Sequence, residues 1–108
     1  MSQAEIIGEI VGELHRQEQL RAAGKFLWTC ADPAISNVRK LAVLAEEFGE
    51  AAREVTEEMI EYDKSGRATS DIEGSVHDAN QAAARGRLRQ ELIQVAAVAV
   101  GWAEALDG

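Results

Sequence analysis

Three carboxylates within five residues, Glu46, Glu47 and Glu50, and a second acidic and amide pair, Glu91 and Gln94, are the side chains whose types and spacing can do chemistry. On a helix, residues three apart project from nearly the same side, so Glu47 and Glu50 share a face and Glu46 lies beside it. Such a cluster repels itself and calls for a positive neighbour. Glu91 and Gln94 are again three apart, on the side that carries Val95, Val98 and Trp102. The Glu91 carboxylate is therefore aimed towards an apolar interior. Desolvation leaves it three options: to take up a proton, to hold a cation, or to be neutralised by Arg85, Arg87 or Arg89 one turn earlier.

The elements that must position these groups are helical. Val38 to Tyr62 carries Leu41, Leu44, Phe48, Ala52, Val55, Met59 and Tyr62 at spacings of three and four, which predicts a helix with one apolar stripe facing a core. Glu54, Glu57, Glu58 and Glu61 then form its wet face. A further helix is expected from about residue 86 to 106, apolar around most of its circumference through Leu88, Leu92, Val95, Val98, Trp102 and Leu106, and hence covered on more than one side. Upstream, Ile6 or Ile7, Ile10, Leu14 and Leu20 predict a first helix from Gln3 to about Ala22. Ser2 and Glu5 are placed as a capping box, and Gly24 stops it.

Between the first two helices the period is lost. Residues 24–36 hold Phe26, Trp28, Cys30 and the sole proline, Pro33. A loop is expected there, serving as a core anchor or as the wall of a ligand pocket, with Ser36 or Asn37 capping the next helix. The second helix is expected to end near Asp63. Residues 63–84 read as a polar connection, a lid or a passive linker, with one short helix near 73–84. His15 and His77 have no partners at metal-ligand spacing and read as surface histidines.

A chain of 108 residues is one domain in which an all-helical arrangement buries its faces only partly. A net charge of -8 sets it against a nucleic-acid backbone as partner, while a nucleotide bridged by a cation stays open. The single cysteine forms no internal disulfide. The longest apolar run, from Leu92 to Ala103, is shorter than the roughly 20 residues a membrane span needs. A cytoplasmic protein away from membranes is the expectation.

The order Leu44-Ala45-Glu46-Glu47-Phe48-Gly49-Glu50-Ala51-Ala52, then Arg89-Gln90-Glu91-Leu92-Ile93-Gln94-Val95-Ala96, resembles the all-α nucleoside triphosphate pyrophosphohydrolases of the MazG-like group. Their signature is Glu-x-x-Glu on one helix and Glu-x-x-Asp on another, and the likeness covers roughly half the chain. It implies an enzyme that cuts a nucleoside triphosphate to the monophosphate and pyrophosphate with Mg²⁺, or Mn²⁺, held by hard oxygen ligands. By that likeness Glu47, Glu50, Glu91 and Gln94 are the metal ligands and Glu46 the base. Lys40, Arg85, Arg87 and Arg89 contact phosphates, and Trp28 and Asn37 the base. For Lys40 the plain alternative is a solvated lysine. Gln94 departs from the pattern by replacing an aspartate, which predicts weaker metal affinity or a substitute ligand such as Glu54 or Asp78.

Together these features predict an all-α domain with a four-helix-bundle-like core completed by a second subunit, a homodimer at least, with a homotetramer suiting the last helix. A catalytically inactive helical nucleotide-binding or oligomerisation module is the alternative to the enzyme.

Overall fold

The computed structural model describes Ser2–Gly108. It is all-helical, with three helices in the order α1 (Gln3–Ala22), α2 (Asn37–Arg67) and α3 (Asp71–Asp107), and no strand among the described residues. None of these helices is long and apolar enough to cross a membrane.

The start of α1 is fixed locally. Ser2 Oγ accepts from the Glu5 backbone at 3.2 Å and the Glu5 carboxylate accepts from the Ser2 backbone at 3.1 Å, which satisfies two of the end's orphan donors. At the other end Gly24 adopts φ 78°, the left-handed region that glycine enters without penalty. Lys25 N then donates to Leu20 O at 2.8 Å and Gly24 N to Arg21 O at 3.0 Å, the pair of bonds of a Schellman stop. Ser36 caps α2, accepting from Arg39 N at 3.3 Å.

The largest departure from expectation lies between Asp63 and Ala84. Instead of a 20-residue polar connection, α2 continues to Arg67, only residues 68–70 break the helix, and α3 already begins at Asp71. Ser70 caps α3 through a 3.1 Å bond from Glu73 N. Polarity here reflects helix-to-helix pairing rather than a loop. Ser65 Oγ donates to Asp78 at 2.8 Å, His77 Nδ1 lies 2.8 Å from Glu61, Arg85 donates to Glu58 at 2.7 Å, and Arg87 to Glu54 at 2.9 Å. Charged groups thus replace apolar ones along this helical hairpin, which hid it from a hydrophobic-period search.

The same pairs reverse the expected faces of α2. Lys40, Val43, Leu44, Glu47, Glu50, Ala51, Glu54, Glu58 and Glu61 are its sheltered side, at spacings of one, three and four. The expected core stripe faces out: Leu41, Phe48, Met59 and Tyr62 are all more than half exposed. Glu54, Glu58 and Glu61 are therefore not the wet face, and His77 is not a free surface histidine.

Two compact units emerge. The first comprises the stretch ending at Glu47 together with Ile93–Gly108, and the second is Phe48–Leu92. In the first, Cys30, Ala97 and Val98 are buried, and Gly101 leaves room for α1 and the loop: a Cβ there would meet Leu14 Cδ2 at 3.3 Å and Ala31 N at 3.4 Å. In the second, Ala51 and Ala84 are the buried apolar residues. A core made of such small side chains buries little apolar surface.

Candidate functional site

Glu50 on α2 and Glu91 on α3 belong to the second unit, and Glu47 precedes Glu50 by one turn on the same unbroken helix. One carboxylate oxygen from each of the three lies within 4.8 Å of the others. All three residues are partly sheltered, and Oε2 of both Glu47 and Glu91 is withdrawn from solvent. Each position follows from the 3.6-residue repeat: Glu47 and Glu50 fall on the sheltered side of α2, and Glu91 continues the inward series Ala84, Leu88, Glu91, Val95, Val98 of α3.

Three carboxylates so close suit a hard divalent cation. Around Mg²⁺, with ligand oxygens at about 2.1 Å, neighbouring and opposite oxygens are separated by about 3.0 and 4.2 Å, and around Ca²⁺ by somewhat more. A group lying within 4.8 Å can meet that spacing. The donor set is oxygen only and charged, the kind that hard cations take.

Beside Glu47, wholly within the first unit, opens a cavity of ≈ 400 Å³. Its walls include Arg16 and Gln17 of α1, Lys25, Phe26 and Trp28 of the loop, Glu47 of α2, and Gln94 and Val98 of α3. Its size is that of a small-molecule site, and it combines aromatic surface with a few polar groups. Arg16 donates through Nε to Glu13 at 2.8 Å, a bond that raises the guanidinium's affinity for its proton and holds the Glu13 carboxyl below its ordinary range; the nearby Glu47 charge adds to the effect on Arg16.

The remaining sequence expectations divide. Trp28 lies on the cavity, and Gln94 lines it one turn beyond Glu91. Glu46 is exposed and outside the converging group. Lys40 is not a solvated lysine: it is 1% exposed, on the sheltered side of α2 two turns before Glu47, and close enough to Cys30 to draw its thiol pKa down against the larger upward effect of burial. Asn37 accepts a 2.9 Å hydrogen bond from Trp102 Nε1, which commits its carbonyl to joining α2 and α3 rather than to a nucleobase. Arg85 and Arg87 are held by Glu58, Glu54 and Glu57 rather than by Glu91, and Arg89 also has an interaction of its own. Glu54 and Asp78, the proposed substitutes for the missing aspartate, are engaged by Arg87 and Ser65.

Arg16, Gln17, Lys25 and Glu13 were not expected at the site. The signal for two of them was present in the sequence: Glu13 and Gln17 fall on the inward series Ile6, Ile10, Leu14, Leu20 of α1, polar residues where apolar ones would be cheaper.

The chain matches no known family model, and no curated protein or solved structure proved similar to it.

Proposed function

We propose that this chain is a metal-dependent nucleoside triphosphate pyrophosphohydrolase of the MazG-like kind, cleaving a nucleoside triphosphate into the monophosphate and pyrophosphate. The observation that carries the reading is the convergence of Glu47, Glu50 and Glu91 from two helices, with Glu47 also on the wall of a cavity of ≈ 400 Å³.

Within this reading, Glu47, Glu50 and Glu91 hold Mg²⁺ or Mn²⁺, and Gln94 contributes through its amide oxygen or a water. When bound, the cation neutralises phosphate oxygens and polarises the α-phosphate. Trp28 and Phe26 offer aromatic faces to the base. Arg16 and Lys25 supply positive charge for a triphosphate in a protein of net charge -8. Water attacks the α-phosphorus, the bond to the bridging oxygen breaks, and pyrophosphate departs. The water's proton goes to a carboxylate of the cluster or to Glu46, and Glu46→Gln separates these, since only the second assignment makes it inactivating. The fourth helix of the bundle comes from a second copy of the chain, so the working unit is a dimer or a tetramer.

The test is pyrophosphate release from a panel of ribo- and deoxyribonucleoside triphosphates with Mg²⁺ or Mn²⁺. Activity that Glu47→Gln and Glu91→Gln both abolish is expected. A second reading, a helical assembly module without catalysis, draws support from Gln94 in place of an aspartate and from the exposed apolar side of α2. Absence of turnover with every nucleotide, and a melting temperature indifferent to metal, would leave that one standing.

A further inference from the structure

Polar side chains on the inward side of a helix are costly without partners, and α1 places two of them, Glu13 and Gln17, on the wall of the first unit's cavity. The Glu13 side chain is only 12% exposed. Arg16 Nε donates to its Oε2 at 2.8 Å, Arg16 Nη2 to its Oε1, and Gln17 Nε2 to the same Oε1 at 3.3 Å. A carboxylate oxygen offers two lone pairs, so Oε1 is filled and Oε2 has room for one more donor. The Gln17 amide, with its nitrogen turned to Glu13, keeps its carbonyl oxygen for another partner, since the opposite orientation would set oxygen against oxygen. Arg16 holds the Glu13 carboxyl below its ordinary range, so this side chain accepts and does not donate. One edge of the cavity is therefore built from acceptors, and Phe26, Trp28, Val43 and Val98 supply apolar wall around it. That combination fits a flat ring carrying N–H groups at its rim.

From this we infer that Glu13 determines base specificity: the cavity selects nucleobases with an exocyclic amine on their pairing edge, such as cytosine or adenine, and rejects those with a carbonyl there, such as uracil or hypoxanthine. The inference rests on the nucleotide reading given above. An amine has two N–H groups to give, one for Glu13 Oε2 and one for the Gln17 carbonyl. A carbonyl in its place meets two acceptors, one of them charged, with no proton between, and leaves the last lone pair of Oε2 desolvated without a donor. Setting acceptor against acceptor discriminates more strongly than losing a contact. Arg16 is a positioning residue in this scheme, since its Nε and Nη2 fix the plane of the Glu13 carboxylate.

Equilibrium binding of nucleoside monophosphates to the full chain tests this without turnover, in pairs that exchange amine for carbonyl on one ring: CMP against UMP, and AMP against IMP. The wild type is expected to bind the amine member roughly tenfold more tightly or better, in whichever ring size the cavity takes. Glu13→Gln, whose amide can offer a donor or an acceptor, should bring the ratio close to one, chiefly by gaining affinity for the carbonyl member. Should that variant fail to fold, Gln17→Leu supplies the answer by lowering the same ratio through loss of the second acceptor. Equal binding within both pairs, tighter binding of UMP or IMP, no binding of any of the four, or a ratio that survives these substitutions would overturn the assignment. Pyrophosphate release separates it from the parent reading. Turnover at equal kcat/KM for amine-bearing and carbonyl-bearing triphosphates sinks base selection and leaves the enzyme, whereas an amine preference in binding with no turnover sinks the enzyme and leaves the selection.

Discussion

Arg87 of α3 donates through Nε to Glu54 of α2 at 2.9 Å and through its other guanidinium arm to Glu57 at 3.2 Å, joining residues 33 and 30 positions apart. With Arg85 on Glu58 and His77 on Glu61, it makes a ladder that sets the register of the helical hairpin. Arg87→Ala is expected to lower the melting temperature, because a branched pair loses both contacts, although exposed pairs are individually weak. A double-mutant cycle with Glu54→Ala should give a favourable coupling that shrinks with added salt. A coupling of zero at low salt would mean that the ladder does not set the register.

The ladder also explains how far the sequence could be read. Helices α1 and the early part of α2 were legible because their ends carry local chemistry, Ser2 with Glu5, Gly24 and Ser36, that acts within a few residues. The hairpin was not, because its contacts join residues 13 to 33 apart through charged groups, which a search for apolar periods assigns to solvent. The same bias turned α2 around: its apolar stripe was expected in the core, yet Phe48 is 66% exposed and Glu47 lies inside. For the acidic group, helical spacing put Glu47 with Glu50 on one side of α2 and Glu91 on the inward side of α3, whereas their approach across two helices was expected only from the family resemblance. Arg16 and Lys25 were not legible, because nothing local in a helix or loop says which cavity a side chain will line.

Clustered carboxylates predict a stability that depends on the cation. Without divalent metal, Glu50→Gln should raise the melting temperature, since it removes one of three like charges held within 4.8 Å. With metal the order should reverse. A ligand that binds only the folded chain stabilises it by about 2.7 kcal/mol at a hundred times its dissociation constant, and the variants should forfeit most of that gain. Calorimetry with Mg²⁺ and with EDTA reads both signs, and equal shifts in wild type and Glu91→Gln would remove the cation from this group.

The Glu13 and Arg16 pair predicts a pH dependence. The Arg16 hydrogen bond holds the Glu13 carboxyl below its ordinary value, so the folded chain binds that proton less readily than the unfolded one. The stabilisation is therefore full above the unfolded value of about 4.3 and is lost as pH falls through the lower, folded value. Half of the Arg16 side chain is exposed, which keeps the effect below about 1 kcal/mol. Denaturant titrations of wild type and Glu13→Gln should differ at pH 7 and converge in acid; a gap that persists at low pH would assign it to packing.

Asn37 and Trp28 should separate cleanly in kinetics. The Asn37 carbonyl is taken by Trp102 at 2.9 Å, a bond between the start of α2 and the last turns of α3, whereas Trp28 lies on the cavity wall. Losing one such hydrogen bond costs about 1 kcal/mol of folding stability, more if the indole N–H is left without a partner. Asn37→Ala is thus expected to lower the melting temperature and leave KM for the nucleotide unchanged at temperatures where the chain stays folded. Trp28→Ala removes an aromatic face from the base and should raise KM at least several-fold with a smaller change in kcat, because stacking serves ground state and transition state alike. A KM increase for Asn37→Ala equal to that for Trp28→Ala would return Asn37 to the substrate, and the Trp102 bond would then be incidental to its role.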